Sequence, residues 1–344
     1  MVKLVWPNFA KPNHMKHFNI LKAILALAIT AAVLLLLDLE NRESEKKKEF
    51  FQIAIYKIAS RMVLDETENG VLDALAERGY VDGKNCAIKK YCAEGDMPTG
   101  NMIAQTIVNG NYDIVVSVST PALQTMANAN KEGKVKHVFC AVTDPFISGV
   151  GITGSAPDQH PPHLVGIGTF QPVERAFDTA REMYPALKKV GVVWCTSEVC
   201  SEACVILARK KCKELGIELV EMSVESSTQI LETAMSLTMR GVEALWLGGD
   251  NVVEAGIDQL INAAARAKIP LFTNNPYKVY GNVIFGVGAK YYDVGKTAGT
   301  MAVDVLEGKS TSEIGTENVV PNYITVNPEA LKNMEPKWDI SKFQ

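Results

Sequence analysis

The stretch from residue 112 to residue 145, YDIVVSVSTPALQTMANANKEGKVKHVFCAVTDP, constrains the fold of this chain more than any other. Its apolar, β-branched run at 114–118 predicts a strand, a helical segment follows, and a second apolar run at 137–142 predicts another strand. Strand–helix–strand units build parallel α/β sheets, in which ligands bind beyond the carboxyl ends of the strands. We therefore expect the polar residues that follow these two strands to form half of a small-molecule site.

The same alternation continues through the rest of the chain. Predicted strands and helices alternate from 51 to 142, and a second block of similar length and order runs from 164 to 273. After another strand, a helix opens at Tyr291 and a final strand is predicted at 319–326. This pattern predicts an α/β fold with two doubly wound parallel-sheet lobes joined by a multi-crossover hinge. The first lobe is predicted to take residues 51–168 and 288–312, and the second residues 169–287 and 313–344.

Small polar residues follow the predicted strands of both blocks. The pairs are Ser119-Thr120, Thr143-Asp144, Thr196-Ser197, Asp250-Asn251 and Asn274-Asn275. Helix capping explains any single pair, but five pairs at equivalent positions favour a site between two lobes. Helix N-termini at Thr120 and Ser197 would bind a carboxylate, and Asp250 or, as the weaker alternative, Asp144 would pair an ammonium group. The pattern therefore indicates a small zwitterion or a polyol as the ligand.

No set of residues for catalysis or for a cofactor is evident in the sequence. It contains neither GxSxG nor HExxH. Residues 149–154, GVGITG, match the dinucleotide pattern G-x-G-x-x-G, but SAPDQHPP follows where that pattern requires a helix. The seven cysteines form no CxxC pair, and we interpret them as small hydrophobes rather than metal ligands. We therefore predict that the protein is not an enzyme and has no cofactor or metal.

Composition and charge limit the possible partners. The chain has 344 residues, of which 47% are hydrophobic and 22% charged, an ordinary globular balance that is long enough for two domains. Residues 51–344 contain 27 basic and 34 acidic residues, a net charge of −7. An acidic body of this kind argues against nucleic acid as a partner, because nucleic-acid binding requires clustered positive charge.

The N-terminal region carries a long apolar segment. Residues 23–37, AILALAITAAVLLLL, are uninterrupted apolar, and the segment from 18 to 39 is long enough to span a bilayer of ~30 Å. Lysines precede it and acidic residues follow it, which orients the N-terminus inside. A cleaved signal peptide is the alternative, but DLENRESEKKKEF offers no small-residue cleavage site. We predict that residues 1–50 form a cytoplasmic tail, an uncleaved transmembrane anchor and a linker, with the binding domain facing the periplasm or the cell exterior.

Six segments, taken in order, resemble one protein family: VSVSTPALQTMANA, FCAVTDP, CTSEVCSEA, GGDNVVEAGIDQLI, KIPLFTNNP and YYDVGKTAGTMAVDVLEGK. They are similar to the extracytoplasmic substrate-binding proteins of ABC importers, in the tryptophan/tyrosine-binding-like group, and the resemblance covers about residues 51–330. It implies the type I periplasmic-binding protein fold, in which two lobes close on a ligand through a hinge. It also implies a receptor that delivers a small polar ligand, an amino acid and in this group an aromatic one, to an ABC permease and its ATPase.

The resemblance also implies which loops line the cleft. The family's cleft loops match Ser60-Arg61, Thr120-Pro121, Thr143-Asp144, Thr196-Ser197-Glu198 and Asp250-Asn251. Two positions depart from the family pattern. Arg61-Met62 stands where the family often has His-Pro, so Arg61 would bind an anionic group, and the loop after Phe272 is neutral where an acidic residue is common. The complete predicted ligand-binding set is Ser60, Arg61, Ser119, Thr120, Pro121, Thr143, Asp144, Thr196, Ser197, Glu198, Asp250, Asn251 and Asn275.

An alternative interpretation assigns the same fold to another task. An extracellular ligand-sensing domain of a membrane signalling system would show the same pattern of strands, helices and polar loops. A transcriptional regulator with a two-lobed core is less favoured, because the chain has an apolar segment where the helix-turn-helix would lie.

Overall fold

The computed structural model describes residues 22, 25–33, 50–334 and 338–343. The chain divides into two compact units, residues 1–49 and residues 50–344. In the first unit, residues 25–33 form a helix, α1, and the rest of the anchor predicted at 18–39, apart from Lys22, lies outside the described residues. None of the helices in the described part of the chain is both long enough and apolar enough to cross a bilayer.

The second unit alternates strands and helices, as the sequence predicts. Its first elements are β1 (Phe51–Lys57), α2 (Met62–Glu77), β2 (Cys86–Cys92), α3 (Met97–Asn109), β3 (Ile114–Val118), α4 (Thr120–Ala129), β4 (Lys136–Val142) and β5 (Leu164–Thr169). The chain continues with α5 (Val173–Met183), β6 (Lys189–Trp194), α6 (Val199–Leu215), β7 (Glu218–Ser223), α7 (Ile230–Met239), β8 (Ala244–Leu247), α8 (Asn251–Ala255), α9 (Ile257–Ala267), β9 (Leu271–Thr273) and β10 (Val283–Gly288). The last elements are α10 (Tyr291–Leu306), β11 (Glu317–Val319) and β12 (Tyr323–Val326), and 3₁₀ turns lie at Ser227–Gln229, Thr311–Glu313, Pro328–Asn333 and Ser341–Phe343.

These strands form two six-stranded sheets. The first sheet has the order β11-β5-β4-β3-β1-β2, and all its strands are parallel. The second has the order β12-β10-β9-β8-β6-β7 and is parallel except for β12, which pairs antiparallel with β10. We call each sheet with its helices a lobe. The prediction of an α/β fold with two parallel-sheet lobes is confirmed.

Three segments carry the chain from one lobe to the other, and they follow β5, β10 and β11. The third segment differs from the sequence-based expectation, which placed one continuous strand at 319–326 and the crossing after residue 312. Pro321 has no N–H group to donate to a ladder, so the predicted strand is divided into β11 in the first sheet and β12 in the second. The first lobe therefore extends to Val319.

The helix predicted at 252–267 is likewise divided, into α8 and α9. Gly256 lies between them, and a Cβ atom there would lie 2.5 Å from Cδ1 of Ile230 at the start of α7. The short helix α8 is a separate element, which begins at Asn251, the second residue of the polar pair that follows β8. This arrangement places the residues of α8 in the cleft.

The helix α10 follows the second lobe in sequence but packs on the first, against α2. Two glycines permit this close approach, because a Cβ at Gly70 would clash with the carbonyl oxygen of Tyr292 and a Cβ at Gly295 with that of Thr67. This packing fixes the first residue of α10, Tyr291, beside the carboxyl ends of the first-sheet strands.

Candidate ligand-binding site

Three neighbouring cavities lie between the lobes. The inner cavity, of about 60 Å³, is lined by Val63, Leu64, Ser119, Thr120, Ala141, Thr143, Gln171, Cys200, Gly248, Gly249, Asp250, Asn251, Glu254, Asn274, Asn275 and Tyr291. The outer cavity, of about 380 Å³, is lined by Ile58, Ala59, Arg61, Glu94, Gly95, Met97, Pro121, Gln124, Ser197, Glu198, Glu225, Ser226, Ser227, Asn251, Val252 and Ala255. The lateral cavity, of about 400 Å³, is lined by Ser60, Arg61, Met62, Asp65, Glu66, Glu254, Ala255 and Lys278.

The first-lobe wall of the inner cavity contains two residues with positive φ. Ser119, directly before α4, has a φ of 102°, and Ala141 in β4 has a φ of 51°. Such conformations cost about 1–3 kcal/mol in residues other than glycine and concentrate at functional sites. The Ser119 hydroxyl oxygen accepts a hydrogen bond from the N–H of Ala122 at 3.3 Å, and Thr120 Oγ1 accepts one from the N–H of Thr143 at 3.3 Å. These bonds hold the two strand-end loops beside the N-terminus of α4.

On the second-lobe wall, the buried carboxylate of Asp250 is held by its own lobe. Its Oδ2 accepts hydrogen bonds from the N–H of Cys195 and the hydroxyl of Ser201, both at 2.7 Å. Its Oδ1 accepts one from the N–H of Val253 at 2.8 Å and so caps α8. Burial raises the pKa of Asp250, and these hydrogen bonds oppose that effect. Asp250 therefore joins β6, α6 and α8 within the second lobe.

A second buried carboxylate of this wall, Glu254, is not among the predicted residues. It lies four residues after Asp250, in α8, and lines both the inner and the lateral cavity. Its Oε1 accepts a hydrogen bond from Asn275 Nδ2 at 2.6 Å and lies 3.8 Å from Lys278 Nζ. Burial raises the pKa of Glu254, and the positive charges of Lys278 and Arg61 counteract this rise. The spacing of one helical turn from Asp250 is the sequence signal that would have pointed to it.

The hinge contributes Gln171, which is also absent from the predicted set. Its Nε2 donates a hydrogen bond to the hydroxyl of Tyr291 at 2.7 Å, while its Oε1 is buried and accepts no hydrogen bond from any described residue. The N–H of Tyr291 donates to the hydroxyl of Tyr277 at 2.9 Å, and Tyr277 belongs to the loop between β9 and β10. Burial raises the pKa of Tyr291. One hydrogen-bonded series thus links the hinge, the first lobe and the second lobe.

Arg61 is the cationic residue of the outer cavity, and it comes from the first lobe. Its Nη1 donates a hydrogen bond to the carbonyl oxygen of Ser60 at 2.6 Å. Its Nε is buried, and no described residue accepts a hydrogen bond from it. Arg61 also lines the lateral cavity, so its guanidinium lies between the two larger spaces of the cleft.

Glu198 enters the outer cavity from the second lobe, directly before α6. Its Oε2 accepts hydrogen bonds from the N–H of Asn251 at 2.7 Å, from Asn251 Nδ2 at 3.2 Å and from the thiol of Cys200 at 3.4 Å. Burial, together with the neighbouring charge of Asp250, raises the pKa of Glu198 to about 7. Since all three donors bind Oε2, none of the described residues donates to Oε1.

The structure brings most of the predicted residues into these cavities. The inner lining includes Ser119, Thr120, Thr143, Asp250, Asn251 and Asn275, the outer lining includes Arg61, Pro121, Ser197 and Glu198, and the lateral lining includes Ser60. The two remaining predicted residues, Asp144 and Thr196, do not line any of these three cavities. Asp144 Oδ1 accepts a hydrogen bond from the N–H of Phe146 at 2.9 Å and stabilises its own loop, and Thr196 is exposed.

The cysteines near the cleft lie in the second lobe. Cys195, Cys200 and Cys204 are buried and unpaired, and burial raises the pKa of each thiol. Cys200 lines the inner cavity. Within the described part of the chain, no group of histidine, cysteine, aspartate and glutamate side chains has the arrangement of a metal site.

Two parallel-sheet lobes, three hinge segments and a cavity enclosed between the lobes are the features of a two-lobed solute receptor. The sequence places the chain within a defined group of such receptors. It belongs to the family described as ABC transporter substrate binding protein, whose model matches residues 52–337.

Individual relatives and solved structures are similar to this chain. The chain is 28% identical over 296 residues to a tyrosine-binding protein of Clostridioides difficile (strain R20291), covering 86% of this chain and 84% of the relative. The solved structure of a conserved domain protein from Vibrio cholerae is 26% identical to this chain, with a TM-score of 0.77. The match covers 82% of this chain and 93% of the other, and the two percentages are given in the same order below. A ligand-free, open substrate-binding protein with adhesive properties from Clostridium difficile is 28% identical, with a TM-score of 0.63 and coverage of 83% and 95%. An ABC domain in complex with L-Trp from Streptococcus pneumonia has the same fold, with 23% identity, a TM-score of 0.77 and coverage of 82% and 93%.

Proposed function

We propose that this ABC transporter substrate-binding protein binds one free amino acid between its lobes. The α-carboxylate and the α-ammonium group occupy the inner cavity, and the side chain extends into the outer cavity. One observation carries the proposal: the inner cavity has a helix N-terminus on its first-lobe wall and a buried carboxylate on its second-lobe wall. Opposite charges on opposite walls suit a zwitterion. The relatives described as binding tyrosine and L-Trp support the same class of ligand.

The α-carboxylate is assigned to the N-terminus of α4. This ten-residue helix directs the positive end of its dipole and the N–H of Thr120 towards the inner cavity. Pro121 has no N–H group, and the N–H groups of Ala122 and Leu123 already donate to Ser119. The Ser119 hydroxyl already accepts a hydrogen bond from the N–H of Ala122, so its own proton remains to be donated. The hydroxyl of Thr143 supplies a further donor on the same wall.

The α-ammonium group is assigned to Glu254 and to Oε1 of Gln171. Asp250, the residue favoured by the sequence, lines the same cavity, but its oxygens already accept hydrogen bonds from Cys195, Ser201 and Val253. Gln171 Oε1 is a buried acceptor that an ammonium donor would satisfy. An inner cavity of about 60 Å³ has room for a few water-sized groups, since one water needs roughly 10–15 Å³. That volume suits the amino-acid head group without its side chain.

Thermal shift and calorimetry on the purified protein test this function. A ligand at 100 times its dissociation constant stabilises the folded state by about 2.7 kcal/mol, so an amino acid from the standard set should raise the melting temperature clearly. Glu254→Gln should weaken its binding by about 10- to 150-fold, the loss expected for one charge-assisted hydrogen bond. Glu232→Gln, at an exposed position in α7, is the matched control.

Two results would contradict the proposal. A rise in melting temperature with sugars or nucleosides, and with none of the amino acids, would reject the ligand class. Unchanged affinity in Glu254→Gln, with amino-acid binding intact, would remove Glu254 from the ammonium site and leave the ligand class standing.

The location of the receptor follows from the same function. A substrate-binding protein of an ABC importer delivers its ligand to permease and ATPase subunits, so the second unit belongs on the outer side of the membrane. We propose that the apolar segment at 18–39 anchors it there, with the lysines before the segment on the inner side.

A further inference from the structure

A lysine of the protein lies beside the carboxylate that the proposed function assigns to the ligand ammonium. Lys278 belongs to the loop between β9 and β10, and its Nζ lies 3.8 Å from Oε1 of Glu254. The two side chains are largely withdrawn from solvent, with exposures of 20% for Lys278 and 9% for Glu254. Water therefore screens the attraction between them less than it screens an exposed ion pair.

The two oxygens of Glu254 have different surroundings. Oε1 faces Lys278 and also accepts the hydrogen bond from Asn275 Nδ2 at 2.6 Å. The N–H of Tyr277 donates to Asn275 Oδ1 at 2.9 Å and so fixes the orientation of that amide. No described residue donates to Oε2, and this oxygen is not one of the buried polar atoms that lack a partner, so it is open to the cleft. The β9–β10 loop thus occupies one oxygen and leaves the other for a ligand.

The charged and titratable groups around Glu254 come from both lobes. Besides Lys278, they are Arg61, Asp65, Glu66, Asp250, Tyr280 and Tyr291. Of the two cations, Arg61 belongs to the first lobe, so its distance from Glu254 depends on how far the cleft is closed. Lys278 belongs to the same lobe as Glu254 and stays beside it when the lobes separate. Lys278 is therefore the counter-charge of Glu254 in the open receptor.

We infer that Lys278 is a positioning residue, which keeps the buried carboxylate of Glu254 charged before the ligand arrives and holds Oε1 away from the ligand side. Burial raises the pKa of Glu254, and the positive charge of Lys278 opposes that rise. At 3.8 Å the lysine is too far from Oε1 for a hydrogen bond, so it supplies charge without taking the place of a ligand donor. This inference rests on the proposed function, because it assumes that Glu254 binds the α-ammonium group.

The pH dependence of binding tests this role. The probes are L-tryptophan and L-tyrosine, and any other standard amino acid that raises the melting temperature more replaces them. Calorimetry from about pH 5 to about pH 7.5 covers a range in which the probes keep their ammonium group charged. An opposite charge at this distance lowers the pKa of a carboxyl by about 1–3 units. The pH below which affinity falls should therefore be at least about one unit higher in Lys278→Met than in the unaltered protein.

Matched variants separate charge from packing. Lys278→Arg keeps the charge and should keep the pH dependence of the unaltered protein, whereas Lys278→Gln, a second neutral variant, should behave as Lys278→Met does. Lys210→Met removes a lysine of the same lobe that lies 3.9 Å from Glu174 at an exposed position, and it should leave the pH dependence unchanged. Circular dichroism melting of each variant over the same pH range separates a loss of binding from a loss of folding.

A double variant isolates the titration of Glu254. Glu254→Gln has no carboxyl to ionise at this position, so adding Lys278→Met to it should cause no further shift in the pH dependence. The Glu254→Gln background retains Glu198, whose pKa burial raises to about 7. Any pH dependence that persists in this background therefore belongs to other groups, such as Glu198.

Each outcome bears on a different claim. An unshifted pH dependence in Lys278→Met, with Glu254→Gln still weakening the binding, would overturn the role of Lys278 and leave the proposed function standing. Tighter binding by Lys278→Met would also overturn that role, because it would show that the lysine competes with the ligand for Glu254. Unchanged affinity in Glu254→Gln would overturn this inference together with the assigned ammonium site. Failure of every amino acid to bind would overturn the proposed function as a whole.

Discussion

Asp250 shows how a carboxylate beside a ligand cavity can serve the scaffold. It accepts hydrogen bonds from Cys195, Ser201 and Val253, which belong to three different segments of the second lobe. A role as the partner of a ligand ammonium would predict that its removal abolishes binding and leaves stability nearly unchanged. The contacts within the lobe instead predict that removal of Asp250 lowers the stability of the protein clearly.

We expect Asp250→Ala to lower the free energy of unfolding by roughly 2–4 kcal/mol, from the lost helix cap and the buried donors left unpaired. Urea denaturation measures this loss. Asp250→Asn, which keeps one acceptor for the N–H of Val253, should lose less than half as much. A loss below about 0.5 kcal/mol in Asp250→Ala, the usual scale of a neutral surface change, would contradict the scaffolding role.

At this scale the sequence predicted residue positions better than residue roles. Polar pairs after strands pointed to Ser119, Thr120 and Asn251, because strand ends meet at one edge of a sheet whatever the details of packing. The same rule could not find Gln171, since it lies in a hinge segment with no strand-end pattern. It pointed to Asp250, with Asp144 as the weaker alternative, and did not reach Glu254, because Glu254 lies within α8 rather than at a strand end.

Among the elements, the contact between α2 and α10 is a close approach of two helix backbones that helps to position the cleft. Gly295 faces the backbone of α2 at Thr67, and Gly70 faces the backbone of α10 at Tyr292. Backbone atoms cannot move aside as a flexible side chain does, so these positions tolerate no Cβ without separating the helices.

Gly295→Ala should therefore destabilise the protein by roughly 1–3 kcal/mol, the range for overpacking. Helix propensity alone predicts the opposite, a gain of up to about 1 kcal/mol. Thermal denaturation distinguishes the two signs. Thr300→Ala, at an exposed position of the same helix, is the control and should be nearly neutral. Stabilisation by Gly295→Ala would show that the helices separate without cost.

Element order was predictable, whereas several boundaries were not. The apolar run Ile114–Val118 predicted strand β3 correctly, because a strand that helices cover on both faces is apolar at every position. The strand expected at 319–326 is two strands in different sheets, because Pro321 interrupts the ladder. The expected helix at 252–267 divides at Gly256, a residue of low helix propensity whose φ of −111° and ψ of 26° depart from helical values.

For the whole molecule, the prediction concerns attachment to the membrane. The full chain should sediment with membranes and resist extraction by alkaline carbonate, because the apolar segment at 18–39 is long enough to insert. A chain that lacks residues 1–49 should be released while binding its amino acid with unchanged affinity, because the lobes and the cavities belong to residues 50–344. Full release of the complete chain by carbonate would contradict the anchor.

The architecture of two parallel-sheet lobes followed from the sequence because alternating strands and helices admit few alternatives. The division of the cleft into three cavities did not follow. It depends on how closely the second-lobe residues Glu198 and Glu254 approach the first lobe, and that distance is set by the hinge rather than by any local pattern.

The second hinge segment, which returns the chain to the first lobe after β10, has a consequence for the order in which the molecule is made. Strand β11 completes one edge of the sheet that begins with β1, and α10 covers α2, yet both are translated after every strand of the second sheet except β12. A nascent chain that has emerged only as far as β10 therefore carries a first lobe with one helical face bare and one edge strand missing. Long-range contacts of this kind slow folding, because distant segments must first be brought together. The first lobe, although most of it is translated first, therefore completes its sheet only after β11 has been translated.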